Sequence, residues 1–183
     1  MNKGKLFVLS GPSGVGKGTL RENALKGKPN LVYSISCTTR QPREGETDGI
    51  EYRFITHEKF EEGIKNNLFL EYAHVHSDYY GTLKEDVTNE LNSGHDVLLE
   101  IDVQGALQVR EKIPEAVLIF IAPPSVEVLE KRLRNRNTES EEHLQLRLNN
   151  AIKELEFKDK YDYIIVNDDL ETASKELNNL IHD

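Results

Sequence analysis

"KLFVLSGPSGVGKGTL", residues 5–20, decides the fold. Residues 6–9 are a short apolar run that reads as a buried strand. A helical pattern runs from about Lys17 to Lys26 and stops at Gly27. Between them, glycines at 11, 14, 16 and 18 let the chain turn tightly and take positive φ. In such a loop successive amide N–H groups converge on anionic oxygens, and the following helix adds its positive end. Lys17 supplies a point charge. The stretch fits G-x-x-x-x-G-K-S/T except at the last position, where Gly18 stands and Thr19 follows. Gly11, Pro12, Ser13, Gly14, Val15, Gly16, Lys17, Gly18 and Thr19 are therefore the expected phosphate cradle. The bland alternative, a glycine-rich turn with a chance lysine, is disfavoured by the strand-to-helix context. The usual hydroxyl would ligate Mg²⁺. Here that role falls to Thr19, or to waters held by an acid such as Asp102 at the end of "VLLEID". Asp102 can also serve as an N-cap for the helix after it.

The remaining composition narrows the class. The chain has 183 residues, 37% hydrophobic and 30% charged, which suits one globular domain with its own core. The single cysteine, Cys37, cannot form an internal disulfide and reads as a small buried side chain. The longest apolar run, "AVLIFIA" at 116–122, is too short to span a bilayer, so the expected compartment is the cytoplasm. Net charge is −9, opposite to the basic field of a duplex-binding domain, so no nucleic-acid partner and no membrane are expected. Cations that handle phosphates must then be concentrated locally.

Along the chain, strands are expected at 31–36, 69–75, 96–102, 116–122 and 161–167. Helices are expected at 57–67, 84–94, 103–113 and 170–181, with two more after Pro124. Ser125 can cap the first of these two, and Thr138 with Glu141 can form a capping box for the second. Leu144, Leu148, Ala151, Ile152 and Leu155 would form the second helix's apolar face. Apolar strands alternating with helices imply an α/β fold with a parallel sheet covered on both faces. Segment 35–83 breaks that rhythm and reads as an antiparallel insertion.

Within that insertion, "SCTTRQPREGETDGIEYRF" (36–54) sets Arg40 and Arg43 three apart in a hydroxyl-rich loop, with Tyr52 nearby. Two guanidiniums can grip one phosphate. The alternative is a solvated loop neutralised by Glu44, Glu46 and Asp48. Taken in order, "GPSGVGKGTL", S-x-T-T-R-x-P-R-x-G-E-x-x-G-x-x-Y-x-F, "EYAHVHSDYYGT", "LEIDVQGA", "FIAPPS", R-x-x-x-R-x-T-E and "IVNDDL" resemble the guanylate kinase family from about Lys5 to Ile181. The arginine loop is far more specific than the glycine loop.

The resemblance implies a domain over residues 3–182. Its core would be 3–34, 84–124 and 151–182, its GMP-binding insertion 35–83 and its helical lid 125–150. It implies transfer of the γ-phosphoryl of ATP to GMP, with Mg²⁺, in purine nucleotide recycling, by a monomer or small homo-oligomer. Ser36, Arg40, Arg43, Tyr52, Glu71, Tyr80 and Thr82 stand where the family binds GMP. Arg40, Arg43, Tyr52 and Tyr80 would hold the phosphate. Glu71 would read the base, because guanine presents N1–H and a 2-amino group side by side and a carboxylate accepts both. Adenine offers neither donor, and a site built on such bonds discriminates by about 10⁴. Ser36 and Thr82 would bond elsewhere on the guanine edge. The alternative for Glu71 is a solvent-facing acid on a strand. Glu100 and Asp102 are expected to approach the nucleotides. Alternatives are a kinase for another base, or a non-catalytic binding module of the same fold.

On the lid, Glu127 precedes Lys131 by four residues and Glu130 precedes Arg134 by four, giving those cations local partners. Arg132 and Arg136 lack such partners, although Glu139 lies just beyond. With Arg147 they match the family's arginines that neutralise charge on the moving phosphoryl group and exclude water. With Arg40 and Lys17 they make up the expected catalytic set. Asn167 stands where the family contacts adenine; its alternative is a cap for the last helix. His74 and His76 would share a strand face, without a third ligand for a metal.

Overall fold

The computed structural model describes residues 2–136 and 140–182. Its elements are β1 (Leu6–Ser10), α1 (Lys17–Gly27), β2 (Leu31–Tyr33), β3 (Cys37–Thr38), β4 (Arg53–Phe54), α2 (His57–Lys65), β5 (Phe69–Val75), β6 (Asp78–Leu83), α3 (Lys84–Asn92), β7 (Asp96–Glu100), α4 (Val103–Lys112), β8 (Val117–Ala122), α5 (Val126–Asn135), α6 (Glu141–Leu155), β9 (Tyr163–Val166) and α7 (Leu170–His182). A five-stranded sheet takes the order β2-β7-β1-β8-β9, and its pairs β2·β7, β1·β8 and β8·β9 are parallel. This is the expected α/β class. Every position of β1 is buried, as a strand covered on both faces requires.

The chain divides into two compact units. The first comprises Met1–Leu6, Asn30–Leu99 and Gln104–Ala116. It contains a four-stranded sheet of order β4-β3-β6-β5. Cys37, Phe60 and Phe69 form its small core, with Ile55, Ile64, Tyr79 and Leu83 packed against them. Phe60 stacks on Phe69 and Tyr79, with ring centroids 4.3 and 4.9 Å apart. Burying each such side chain stabilises the fold by about 1.5–3 kcal/mol.

The second unit comprises Phe7–Pro29, Glu100–Val103 and Val117–Asp183. Here α1 packs on α7, fastened by Asn23 donating to Ser174 Oγ at 3.1 Å. The faces of α5 and α6 meet through Leu129, Leu133, Leu144, Leu148 and Ala151. Ser125 caps α5 as expected, accepting from the Val128 amide.

Several expectations are corrected. The strand expected at 31–36 ends at Tyr33, and Cys37 and Thr38 pair in the other sheet. That sheet is not wholly antiparallel, because β3 and β4 run parallel. Strand β6, too polar at its start to stand out, closes a hairpin with β5. Thr138 and Glu139 lie outside the described residues, and the cap of α6 is Ser140, which accepts from the His143 amide. Ile152 is exposed, since one turn of α6 carries only a narrow buried stripe. His76 sits at φ 58° beyond the end of β5, so it does not share a strand face with His74, which stacks on Tyr79. No cluster of three or more His, Cys, Asp or Glu that would hold a metal occurs among the described residues. No described helix is long and apolar enough to cross a membrane.

Candidate active site

The glycine loop joins β1 to α1 in the second unit. Gly14 and Gly16 have φ of 86° and 94°, the left-handed region that disfavours any side chain. A Cβ on Gly14 would also meet Leu133 Cδ2 at 2.7 Å, so the loop lies directly against α5. A Cβ on Gly16 would meet the Asn167 side-chain nitrogen at 2.8 Å. Gly18 differs, since nothing lies within 4 Å of a Cβ there. Thr19 is exposed at the first turn of α1, while Pro12 is buried and Ser13 exposed.

Lys17 donates to the Gly11 carbonyl across the loop. Burial pushes its pKa down, opposed by the negative charges of Glu100, Glu154 and Asp102. Glu154, on α6, is itself pushed up by burial. Neither Glu154 nor Arg21 was legible as a site residue, although Glu154 flanks the apolar stripe of α6. Glu100, expected near the nucleotides, is ion-paired to Arg21 of α1. Asp102 immediately precedes α4.

Asn167 does not cap α7; Asp169 does, accepting from the Thr172 amide at 3.0 Å and its hydroxyl at 2.7 Å. Asn167 is buried and its side chain donates to the Val15 carbonyl at 2.8 Å, tying the end of β9 to the glycine loop. Arg132 is not without partners: it donates to the carbonyls of Asn167 and Asp168 at 3.0 and 3.4 Å. The glycine loop, β9 end and α5 are thus linked residue to residue. Arg134 holds Glu130 as expected, and Glu141 as well. Arg136 is exposed just past α5, and Arg147 is half-buried on α6.

The second constellation lies in the first unit. Arg40 grips Glu46 with two parallel bonds, Nη1 to Oε1 at 2.8 Å and Nη2 to Oε2 at 3.0 Å. Nη1 also donates to the Gln41 carbonyl at 3.0 Å. These contacts fill one edge of the planar fork and fix its direction. The guanidinium lies over the Tyr52 ring, 5.3 Å from its centroid, and Tyr52 meets Tyr80 edge to face at 5.9 Å. Hydrogen bonds from Arg40 and from the Arg43 amide hold the half-buried Glu46 carboxyl at about 2, so it is ionised near neutral pH. The neutralised-loop alternative is therefore half realised, with Glu46 serving to orient Arg40. The Arg43 side chain is exposed.

Glu71 is not a solvent-facing acid: it is 3% exposed, on β5, and accepts from the Thr82 hydroxyl of β6 at 2.7 Å. Ser36 is buried just before β3. Tyr80 pairs with Thr38 across β3·β6, and Thr82 sits opposite Glu71 across β5·β6. One small sheet and the loops beside its strands therefore carry the carboxylate, two hydroxyls, an oriented guanidinium and two phenols. Cys37 is buried in the small core with Phe60 and Phe69, and desolvation pushes its thiol up to about 11, which keeps it inert.

Comparison with known proteins places the chain in a family. A guanylate kinase family model matches residues 3–183. A guanylate kinase of Fusobacterium nucleatum is 53% identical over 181 residues, covering 99% of this chain and 97% of that one. A guanylate kinase of Carboxydothermus hydrogenoformans is 52% identical over 177 residues, 97% of this chain and 87% of its own. The crystal structure of guanylate kinase from Anaplasma phagocytophilum superposes with a TM-score of 0.82 at 34% identity, covering 99% of this chain and 86% of that one. Shikimate kinase from Bacteroides thetaiotaomicron, at 20% identity and a TM-score of 0.54 over 98% of this chain and 99% of its own, shares the fold alone. With a family model and two relatives matching almost end to end, the chain belongs to the guanylate kinase family.

Proposed function

We propose that this chain transfers the γ-phosphoryl group of ATP to GMP, giving ADP and GDP. The observation that carries the reading is Glu71, a carboxylate buried on β5 and held by the Thr82 hydroxyl opposite it on β6. A carboxylate there accepts the paired N1–H and 2-amino donors of guanine together, whereas adenine offers neither donor. Arg40, pre-aimed by Glu46 and flanked by Tyr52 and Tyr80, would hold the GMP phosphate, joined by Arg43.

The glycine loop would hold the ATP phosphates, with Lys17 at the β- and γ-phosphates and Asn167 toward the adenine. No side chain need act as a nucleophile. A phosphate oxygen of GMP attacks the γ-phosphorus, the bond to the bridging oxygen breaks, and ADP leaves. Lys17, the loop amides and Arg132, Arg136 and Arg147 would stabilise the charge spread over the transferring group. Mg²⁺ suits the oxygen donors here, because it takes one or two protein ligands and completes its shell with phosphates and water. Thr19 and Asp102 would hold it, and it would neutralise phosphate charge. With these substrates the chain would work in the cytoplasm.

The test is ADP production from Mg·ATP with GMP, dGMP, AMP, UMP and TMP offered separately. Turnover confined to guanine acceptors is expected. Turnover with another base would overturn the role of Glu71 and keep the kinase. Folded protein inert toward every acceptor would overturn the kinase.

A further inference from the structure

Strand β5 is the edge of its sheet, so among the described residues one side of its backbone has no strand neighbour. It is also irregular. Between Phe69 and Glu71 the register advances two residues on β5 for one on β6, a bulge at Leu70. A bulge interrupts the ladder and re-aims the side chains beside it. In a strand with alternating faces, a slip by one residue would turn Glu71 to the opposite face.

Two side chains of α4 meet this free edge. Gln108 accepts from the Tyr72 amide at 3.0 Å and donates to the Tyr72 carbonyl at 2.7 Å. Its amide thereby stands in for the missing strand partner. Lys112, one helical turn on and so on the same face of α4, donates to the Leu70 carbonyl at 2.6 Å. Leu70 and Tyr72 are the two neighbours of Glu71.

We propose that Gln108 and Lys112 are positioning residues for the acceptor base: they clamp the backbone on either side of Glu71 and so set the aim of its carboxylate. Neither touches substrate. The proposal rests on Glu71 reading guanine. Side chains of α4 then hold the side of β5 that faces away from β6, where a displacement would misdirect base recognition.

The readout is the ratio of kcat/KM for GMP to that for inosine monophosphate, which lacks the 2-amino group. It is measured in wild type, Glu71→Gln, Gln108→Leu, Gln108→Glu and Lys112→Met. A merely structural role lowers yield or melting temperature and leaves the ratio alone. Gln108→Leu and Lys112→Met should each lower the ratio by about tenfold through the KM for GMP, with the KM for ATP unchanged. Gln108→Glu keeps the shape and the acceptor for the Tyr72 amide and should fall between; with Lys112→Met it carries the test if Gln108→Leu does not fold. A ratio unmoved by the α4 variants but abolished by Glu71→Gln overturns the clamp and leaves base reading intact. A ratio unmoved by Glu71→Gln overturns base reading, and the clamp with it.

Discussion

Burial pushes the pKa of the Lys17 ammonium down, while three acids pull it back up. The sign of the consequence is fixed. A lysine with a depressed pKa loses its charge at lower pH than an exposed one, and the charged form is the one that binds phosphate. In free enzyme, kcat/KM for ATP should therefore fall on the alkaline side with an apparent pKa below the ordinary lysine range. A profile that stays flat to ordinary lysine values would show that burial does not govern this group. Lys17 was legible in the sequence because its motif is local: a glycine loop needs only adjacent residues. The burial of Glu71 was not legible, since an acid beside a tyrosine on an alternating strand reads equally well facing water. Nor was the role of Glu46, an acid in a loop that also holds Glu44 and Asp48; only the folded loop selects it to orient Arg40.

Among elements, the glycine loop separates glycines that are needed from one that is not. Gly16→Ala places a side chain at φ 94° and against the Asn167 nitrogen at 2.8 Å. The conformational cost alone is about 1–2 kcal/mol. Because Asn167 holds the Val15 carbonyl, the loop itself must shift, and turnover should fall by more than tenfold at a KM for GMP near wild type. Gly18→Ser meets nothing within 4 Å and restores the hydroxyl of the usual motif. It should fold normally, with stability unchanged or higher by about 0.5 kcal/mol, as thermal melts and turnover of the two variants will show. Most elements were readable from their periods and punctuation: α1 stops at Gly27, Gly94 with φ 86° follows α3, and Ser125 opens α5. Strands β3 and β4 were not, because two-residue pairings have no period to read.

For the whole molecule, the residues assigned to GMP lie in one compact unit and the glycine loop with Lys17, Arg132 and Asn167 in the other. Each ligand should therefore stabilise the protein separately. At about a hundred times its Kd, either GMP or Mg·ATP contributes about 2.7 kcal/mol, a rise in Tm of about 5–10 °C. In Lys17→Met the rise with ATP should shrink while the rise with GMP remains, and turnover should be nearly abolished. Equal loss of both shifts would count against the division of sites. The sequence by itself determined the α/β alternation, the glycine loop, the arginine loop and the family, because each is written in neighbouring residues or in the order of motifs. Tertiary structure alone decided what distant residues do to one another. It buried Glu71 beside Thr82, gave Glu100 to Arg21 and Asn167 to the Val15 carbonyl, and set Gln108 and Lys112 against the open edge of β5. The physical reason is that burial and hydrogen-bond partnership depend on which surfaces meet, and residues 11 to 152 positions apart meet only once the chain has folded.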